Sequence, residues 1–142
     1  RDSVQLTDEF YPALTAHGNT VQLSVDENCT VYGDPEKLAR VFNNLLKNAI
    51  YYSYPDTPIE ITAEYGTDQI IILIRNQGKT ISKQQLTSIF DKFFRLDDAR
   101  TTNTGGAGLG LAIAREIVTL HGGSITAESA EELTTFRVVL PL

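Results

Sequence analysis

The sequence predicts an α+β fold, a two-layer α/β sandwich with one mixed, mostly antiparallel sheet and its helices on one face. Three features predict it. Segments 59–65 and 69–76 read as strands joined by the turn "GTD", so they pair as a hairpin. Segments 124–129 and 134–142 read as two more strands that close the chain. Amphipathic helices stand between and before these strands. A chain of 142 residues, 42% of them hydrophobic, suits one domain spanning 1–142 with its own core.

Taken in order, residues 3–17 carry Val4, Leu6, Phe10, Tyr11 and Leu14 as apolar positions and are stopped by "HGN" at 17–19, which predicts a first helix. "TVQLSV" at 20–25 alternates like a strand. "GDPEKLARVFNNLLKNAI" then opens with Asp34 as N-cap, Pro35 at the first helical position and Glu36 in the first turn. Its residues Leu38, Val41, Phe42, Leu45, Leu46, Ala49 and Ile50 keep the i, i+3, i+4, i+7 rule, so one face of this helix is apolar throughout. "QIIILIRN" at 69–76 is nearly all apolar, which predicts a central, covered strand. A shorter helix is predicted over 82–94, a polar Gly/Thr loop over 97–107, and a last helix over 109–121 ended by "HGG".

Composition narrows the function classes. A net charge of −6 argues against nucleic acid, because a polyanion is repelled unless basic residues concentrate on one face, and no such patch is visible. No apolar run approaches the ~18 residues of a membrane span, and no charged-then-apolar leader opens the chain, so this piece is expected to be soluble. There is no Met, even at position 1, so a longer parent protein is expected. The single cysteine, Cys29, excludes an internal disulfide and reads as a small buried hydrophobe in a reducing compartment.

The chemistry starts at "NTGGAGLGLAI", residues 103–113, where glycines feed a helix. Glycines let backbone N–H groups approach phosphate oxygens, and the helix dipole favours their charge. A dinucleotide fold needs a strand directly before the glycines, but 97–104 is polar. A P-loop is suggested by "GKT" at 78–80, yet Leu73 stands where its first glycine belongs. A ligand-free surface loop remains the bland alternative. Against it stand Asn44 and Asn48, one turn apart on the flank of the 35–50 helix, with Arg40 a further turn back. Asparagine in a helix interior opposes propensity, and neutral carboxamide oxygens suit Mg²⁺ already held by a triphosphate.

"NLLKNAIYYS" (44–53), "NQGKTI" (76–81), "IFDKFFR" (89–95), "GGAGLGLAIA" (105–114), "HGGSI" (121–125) and "TTFRVVLP" (134–141) occur in this order along the chain. Together they resemble the N, G1, F, G2 and closing segments of the ATP-binding catalytic domain of sensor histidine kinases. Within that family the similarity is narrowest to the VanS-type sensors of vancomycin resistance. The resemblance implies the Bergerat (GHKL) sandwich shared with gyrase and MutL, with ATP and Mg²⁺ bound under a mobile lid at about 95–108. It implies that Asn48 ligates Mg²⁺, that Asn44 supports the metal and phosphates, and that Asn44 and Arg95 serve the chemistry. Tyr52 would pack on the adenine, Asn76 would accept from its amino group, and Gly78 would let backbone approach the base. Gly106, Gly108 and Gly110 would let the lid fold over the phosphates. Ile81, Phe93, Leu109 and Leu111 complete the implied nucleotide-contact set, although by residue type alone Phe90, Phe93 and Phe94 read as core.

The sequence departs from the family pattern at four places. Asn76 replaces an aspartate, so the adenine bond lacks charge assistance. Thr80 replaces the second glycine of its segment, Tyr51 a basic residue, and Leu133 a glycine before "TTF". His17 and His121 read as a turn residue and a helix end, since neither has the acidic neighbour and downstream proline of a phosphoacceptor. The resemblance therefore implies a separate phosphoacceptor and dimerisation helical domain, a response regulator as second partner, and a membrane-anchored homodimeric parent whose catalytic domain, monomeric by itself, is cytoplasmic. An ATP-hydrolysing machine of the same fold is the competing class. Its members place Glu where this chain has Asn44, which favours the kinase.

Overall fold

A computed structural model describes residues 2–5, 18–24, 30–91 and 107–142. Its elements are β1 (Asp2–Gln5), β2 (Thr20–Ser24), β3 (Thr30–Gly33), α1 (Pro35–Tyr52), β4 (Pro58–Tyr65), β5 (Gln69–Gln77), α2 (Lys83–Leu86), α3 (Ala107–Leu120), β6 (Ser124–Ala130) and β7 (Leu133–Pro141). The main sheet has the order β2-β4-β5-β7-β6, with β2 parallel to β4 and every other pair antiparallel. The expected mixed, mostly antiparallel sheet is thus present.

α1 begins where its cap predicts. Asp34 accepts from the N–H groups of Glu36 at 3.0 Å and Lys37 at 3.2 Å, which satisfies two of the unpaired donors of the first turn. Leu38, Val41, Phe42, Leu45, Leu46 and Ala49 are all buried, and Ile50 packs at the margin of the core. They meet Leu111, Ala114, Ile117 and Val118 of α3 and the inward row of the sheet, Ile70, Ile72 and Ile74 on β5 with Phe136, Val138 and Leu140 on β7. β5 is central, as its composition predicts, but only one of its faces is fully covered. Ile71 and Leu73 on the other face are half-buried, because the helices described here lie on one side.

Three expectations are corrected. Residues 2–5 are a strand, not the start of a helix, and pair antiparallel with β3 in the register Val4↔Val31. A four-residue strand whose partners lie 25 to 31 positions on leaves no local period to read. Residues 6–17 lie outside the described residues, as do Val25 and Cys29. Of the helix expected over 82–94, the described residues 82–91 form only Lys83–Leu86, opened by a reciprocal capping box between Ser82 and Gln85, and residues 92–94 lie outside the described residues. The helix ends because Thr87 turns its hydroxyl onto the Gln84 carbonyl at 2.6 Å while the Ser88 and Asp91 amides bond three residues back. Ile89 and Phe90 still reach the core, Phe90 edge-to-face with Phe136, as the bland reading of Phe90 expects. Finally, α3 starts at Ala107, two residues earlier than the glycine pattern suggests. Among the described residues no helix is long and apolar enough to cross a membrane.

Candidate functional site

Residues four apart on a helix advance only about 40° around its axis, so Asn44, Asn48 and Tyr52 form one row on α1, about 12 Å long. The burial of that row is uneven. Asn44 and Tyr52 are half-buried, whereas Asn48 is 5% exposed. Asn48 therefore does not stand on a solvated helix face, and the position read as flanking the apolar stripe is closed over by structure. Asn76, near the end of β5, is 3% exposed. Among the described residues neither the Asn48 nor the Asn76 carboxamide has a hydrogen-bond partner. Buried amides are nearly always paired, and leaving one unpaired costs about 1–3 kcal/mol.

One end of the row is built by β5 passing beneath the end of α1. The Tyr54 N–H donates to the Gln77 carbonyl at 2.8 Å, and Ser53 and Gly78 form an antiparallel bridge. A Cβ at position 78 would collide with the Tyr52 carbonyl oxygen and would stand 3.2 Å from Asn76 Nδ2. Tyr52, Asn76 and Gly78 are thus brought together, and the approach of α1 is itself enough to require glycine. The Tyr52 ring stands edge-on to Tyr51, with centroids 4.8 Å apart.

The other end is built by α3. Asn44 Nδ2 donates to the Gly110 carbonyl at 3.2 Å, which leaves the carbonyl oxygen of the same carboxamide for a ligand. The first turn of α3 carries N–H groups without partners in the helix, the usual reason an anion settles there. Gly108, Leu109 and Gly110 belong to this helix. A Cβ at 110 would meet Asn44 Cγ at 3.5 Å, an ordinary contact. Phe93, Arg95 and Gly106 lie outside the described residues. Ile81 and Leu111 belong to the buried core, and the Ile81 N–H is held by Ser129 Oγ at 2.9 Å.

Neutral groups dominate the described part of the site. Among the described residues no group of three His, Cys, Asp or Glu could hold a metal. Sequence reasoning missed the tip of the β6–β7 hairpin, where Tyr54 donates its hydroxyl to Glu132. That hydrogen bond, with desolvation and the Glu132 charge behind it, holds the Tyr54 phenol above its ordinary range. It also missed a tie across the helices. His121 at the end of α3 accepts the Asp34 N–H on Nε2 at 3.1 Å, while its Nδ1 lies 2.8 Å from the Ile117 carbonyl. The Tyr54–Glu132 and Asp34–His121 contacts join residues far apart in sequence, so only the neighbouring turn signals were legible.

The chain is similar to known proteins in sequence and in fold. Residues 33–142 match the family described as histidine kinase-, DNA gyrase B-, and HSP90-like ATPase. The chain is 57% identical over 138 residues to the sensor protein VanS of Enterococcus faecium, covering 97% of this chain and 36% of that protein. It is 46% identical over 137 residues to the sensor protein VanSC of Enterococcus gallinarum, covering 96% and 38% respectively. The solved structure of the mycobacterial sensor histidine kinase MprB aligns with a TM-score of 0.83 at 28% identity, over 99% of this chain and 97% of that one. The chain spans little more than a third of the length of the two VanS relatives.

Proposed function

The chain belongs to the histidine kinase-, DNA gyrase B- and HSP90-like ATPase family, and on that premise we propose that it is the catalytic, ATP-binding domain of a two-component sensor histidine kinase. One observation carries the reading. Two buried carboxamides, Asn48 and Asn76, stand without described partners beside the row on α1 and its β5 end. Asn76 would accept from the amino group of adenine, with Tyr52 and the Gly78 backbone alongside. Asn48 would hold Mg²⁺, which neutralises phosphate charge during phosphoryl transfer. Asn44 would offer its carbonyl oxygen to the metal and phosphates, and the first turn of α3 its amides. Arg95 and a lid at about 95–108 would close over the phosphates.

The described row contains no general base, since Asn44 is a carboxamide. The γ-phosphoryl would therefore pass to a histidine on a separate helical domain and from there to a response-regulator aspartate. The similarity to VanS and VanSC supports a membrane-anchored parent of the VanS type, with this domain in the cytoplasm and vancomycin-resistance signalling as the finer reading. The test combines the chain, Mg²⁺ and γ-labelled ATP with the phosphoacceptor domain of the parent protein. Label should appear on that domain's histidine. A chain that binds Mg-ATP yet leaves the histidine unlabelled would overturn the kinase reading.

A further inference from the structure

Thr80, one of the departures from the family pattern, bonds to Glu132, the residue directly before a second departure, Leu133. Leu133 pairs with Gln77 at the start of β7, and Ala130 pairs with Leu133, so β6 and β7 are joined by the two-residue loop Glu131–Glu132. Both loop residues are left-handed, with φ of 50° and 62°. A two-residue hairpin of that kind favours Asn-Gly, because side chains with a Cβ are strained there. Two successive glutamates keep the conformation only where the surroundings over-determine it.

The surroundings are the segment that follows Asn76. The Glu132 N–H donates to Thr80 Oγ1 at 2.8 Å, and the Gly78 N–H donates to the Glu132 carbonyl at 3.0 Å. The Glu132 carboxylate accepts the Tyr54 hydroxyl. From the opposite side the Tyr54 N–H holds the Gln77 carbonyl at 2.8 Å. Residues 77–80 are thereby gripped between the end of α1 and the hairpin tip. A glycine at 80 would offer no acceptor to the Glu132 amide.

We propose that Thr80, Glu132 and Tyr54 form a latch that pre-orders the segment carrying Asn76 and Gly78, and that they act as positioning residues for the base of the bound nucleotide. The inference rests on the nucleotide-binding reading above. Its physical gain is that a segment already fixed loses less freedom on binding, which offsets the charge that Asn76 lacks. The latch contacts lie at the base end of the row, away from Asn44 and α3. They should therefore affect adenosine and ATP alike.

Calorimetric titration of the 142-residue chain with Mg-ATP and with adenosine tests this. Thr80→Val removes the acceptor while keeping the shape, and should weaken both ligands by ~3–10-fold, the worth of one net hydrogen bond. Thr80→Ser restores the hydroxyl and should return both affinities to within ~2-fold of the original. Tyr54→Phe approaches the latch from an exposed residue outside the core and should weaken both ligands in the same sense, whether or not Thr80→Val folds. Unchanged affinities in Tyr54→Phe and in folded Thr80→Val, or a Thr80→Ser variant as weak as Thr80→Val, would overturn the latch. A wild-type chain that binds no Mg-ATP would overturn the nucleotide-binding reading instead.

Discussion

Asn44 of α1 donates from Nδ2 to the backbone carbonyl of Gly110 in the first turn of α3, across 3.2 Å. The residue proposed to support the phosphates therefore also joins the two helices. Such a bond fixes which way the carboxamide faces, because reversing it would set two oxygens against each other. The carbonyl oxygen is left pointing away from the Gly110 carbonyl, the orientation a metal or phosphate-bound water can use.

Asn48 should trade stability against function. Its carboxamide is buried with no partner among the described residues, and a buried amide without a partner carries a desolvation cost. Asn48→Leu, similar in size and apolar, should raise the stability of the free chain by about 1 kcal/mol and abolish detectable Mg-ATP binding. Denaturant unfolding and calorimetric titration read the two effects separately. Loss of stability with retained binding would contradict the assignment.

Gly78 and Gly110 should respond oppositely to alanine. At 78 the new Cβ meets a backbone oxygen, that of Tyr52, which cannot move without lifting the end of α1 from β5. Gly78→Ala should cost about 1–3 kcal/mol and reduce adenosine affinity. At 110 the nearest atom is Asn44 Cγ at 3.5 Å, and the residue is helical, so Gly110→Ala should gain up to about 1 kcal/mol. Thermal unfolding of the two variants decides it, and equal destabilisation would refute the contrast.

Elements that bury a continuous face were legible in the sequence, and those set by distant pairing were not. α1 could be read nearly to its ends, since Asp34, Pro35 and a regular run from Leu38 to Ala49 all state the same period. β4, β5, β6 and β7 were legible from β-branched runs and short turns. β1 and β3 were not, because four residues hold too little pattern and their stability comes from each other. In the site, Asn44 and Asn48 stood out as poor helix formers at helical spacing. The burial of Asn48, the reason for Gly78 and the Thr80–Glu132 contact depend on how α1 and β6–β7 close on β5, which no local window contains.

The Tyr54–Glu132 bond should leave a signature in the pH dependence of stability. The folded-state phenol is held above the ordinary tyrosine value of 10.0, first by the hydrogen bond to Glu132. A raised acid favours folding while protonated, so its contribution is complete below that ordinary value and is lost as pH rises through the folded one. Wild type should therefore exceed Tyr54→Phe in unfolding free energy by a constant amount at neutral and mildly alkaline pH. The gap should close at more alkaline pH. A gap that instead widens there would reverse the sign and count against the bond.

An ATPase of this fold needs a carboxylate on α1 to take a proton from the attacking water, and the carboxamide of Asn44 cannot do so at neutral pH. Asn44 is also committed to Gly110 through its donor, which holds it in place without giving it basicity. The chain alone should therefore bind Mg-ATP and release negligible inorganic phosphate over a time in which the phosphoacceptor domain becomes labelled. Asn44→Ala loses the bond to Gly110 as well, at a cost of about 1 kcal/mol, so the comparison belongs at a temperature where both forms are folded. Under those conditions Asn44→Ala should weaken Mg-ATP binding and leave phosphate release at the same negligible rate. Brisk phosphate release by the wild-type chain, abolished in Asn44→Ala, would falsify the kinase assignment and place the chain with the hydrolysing members of its family.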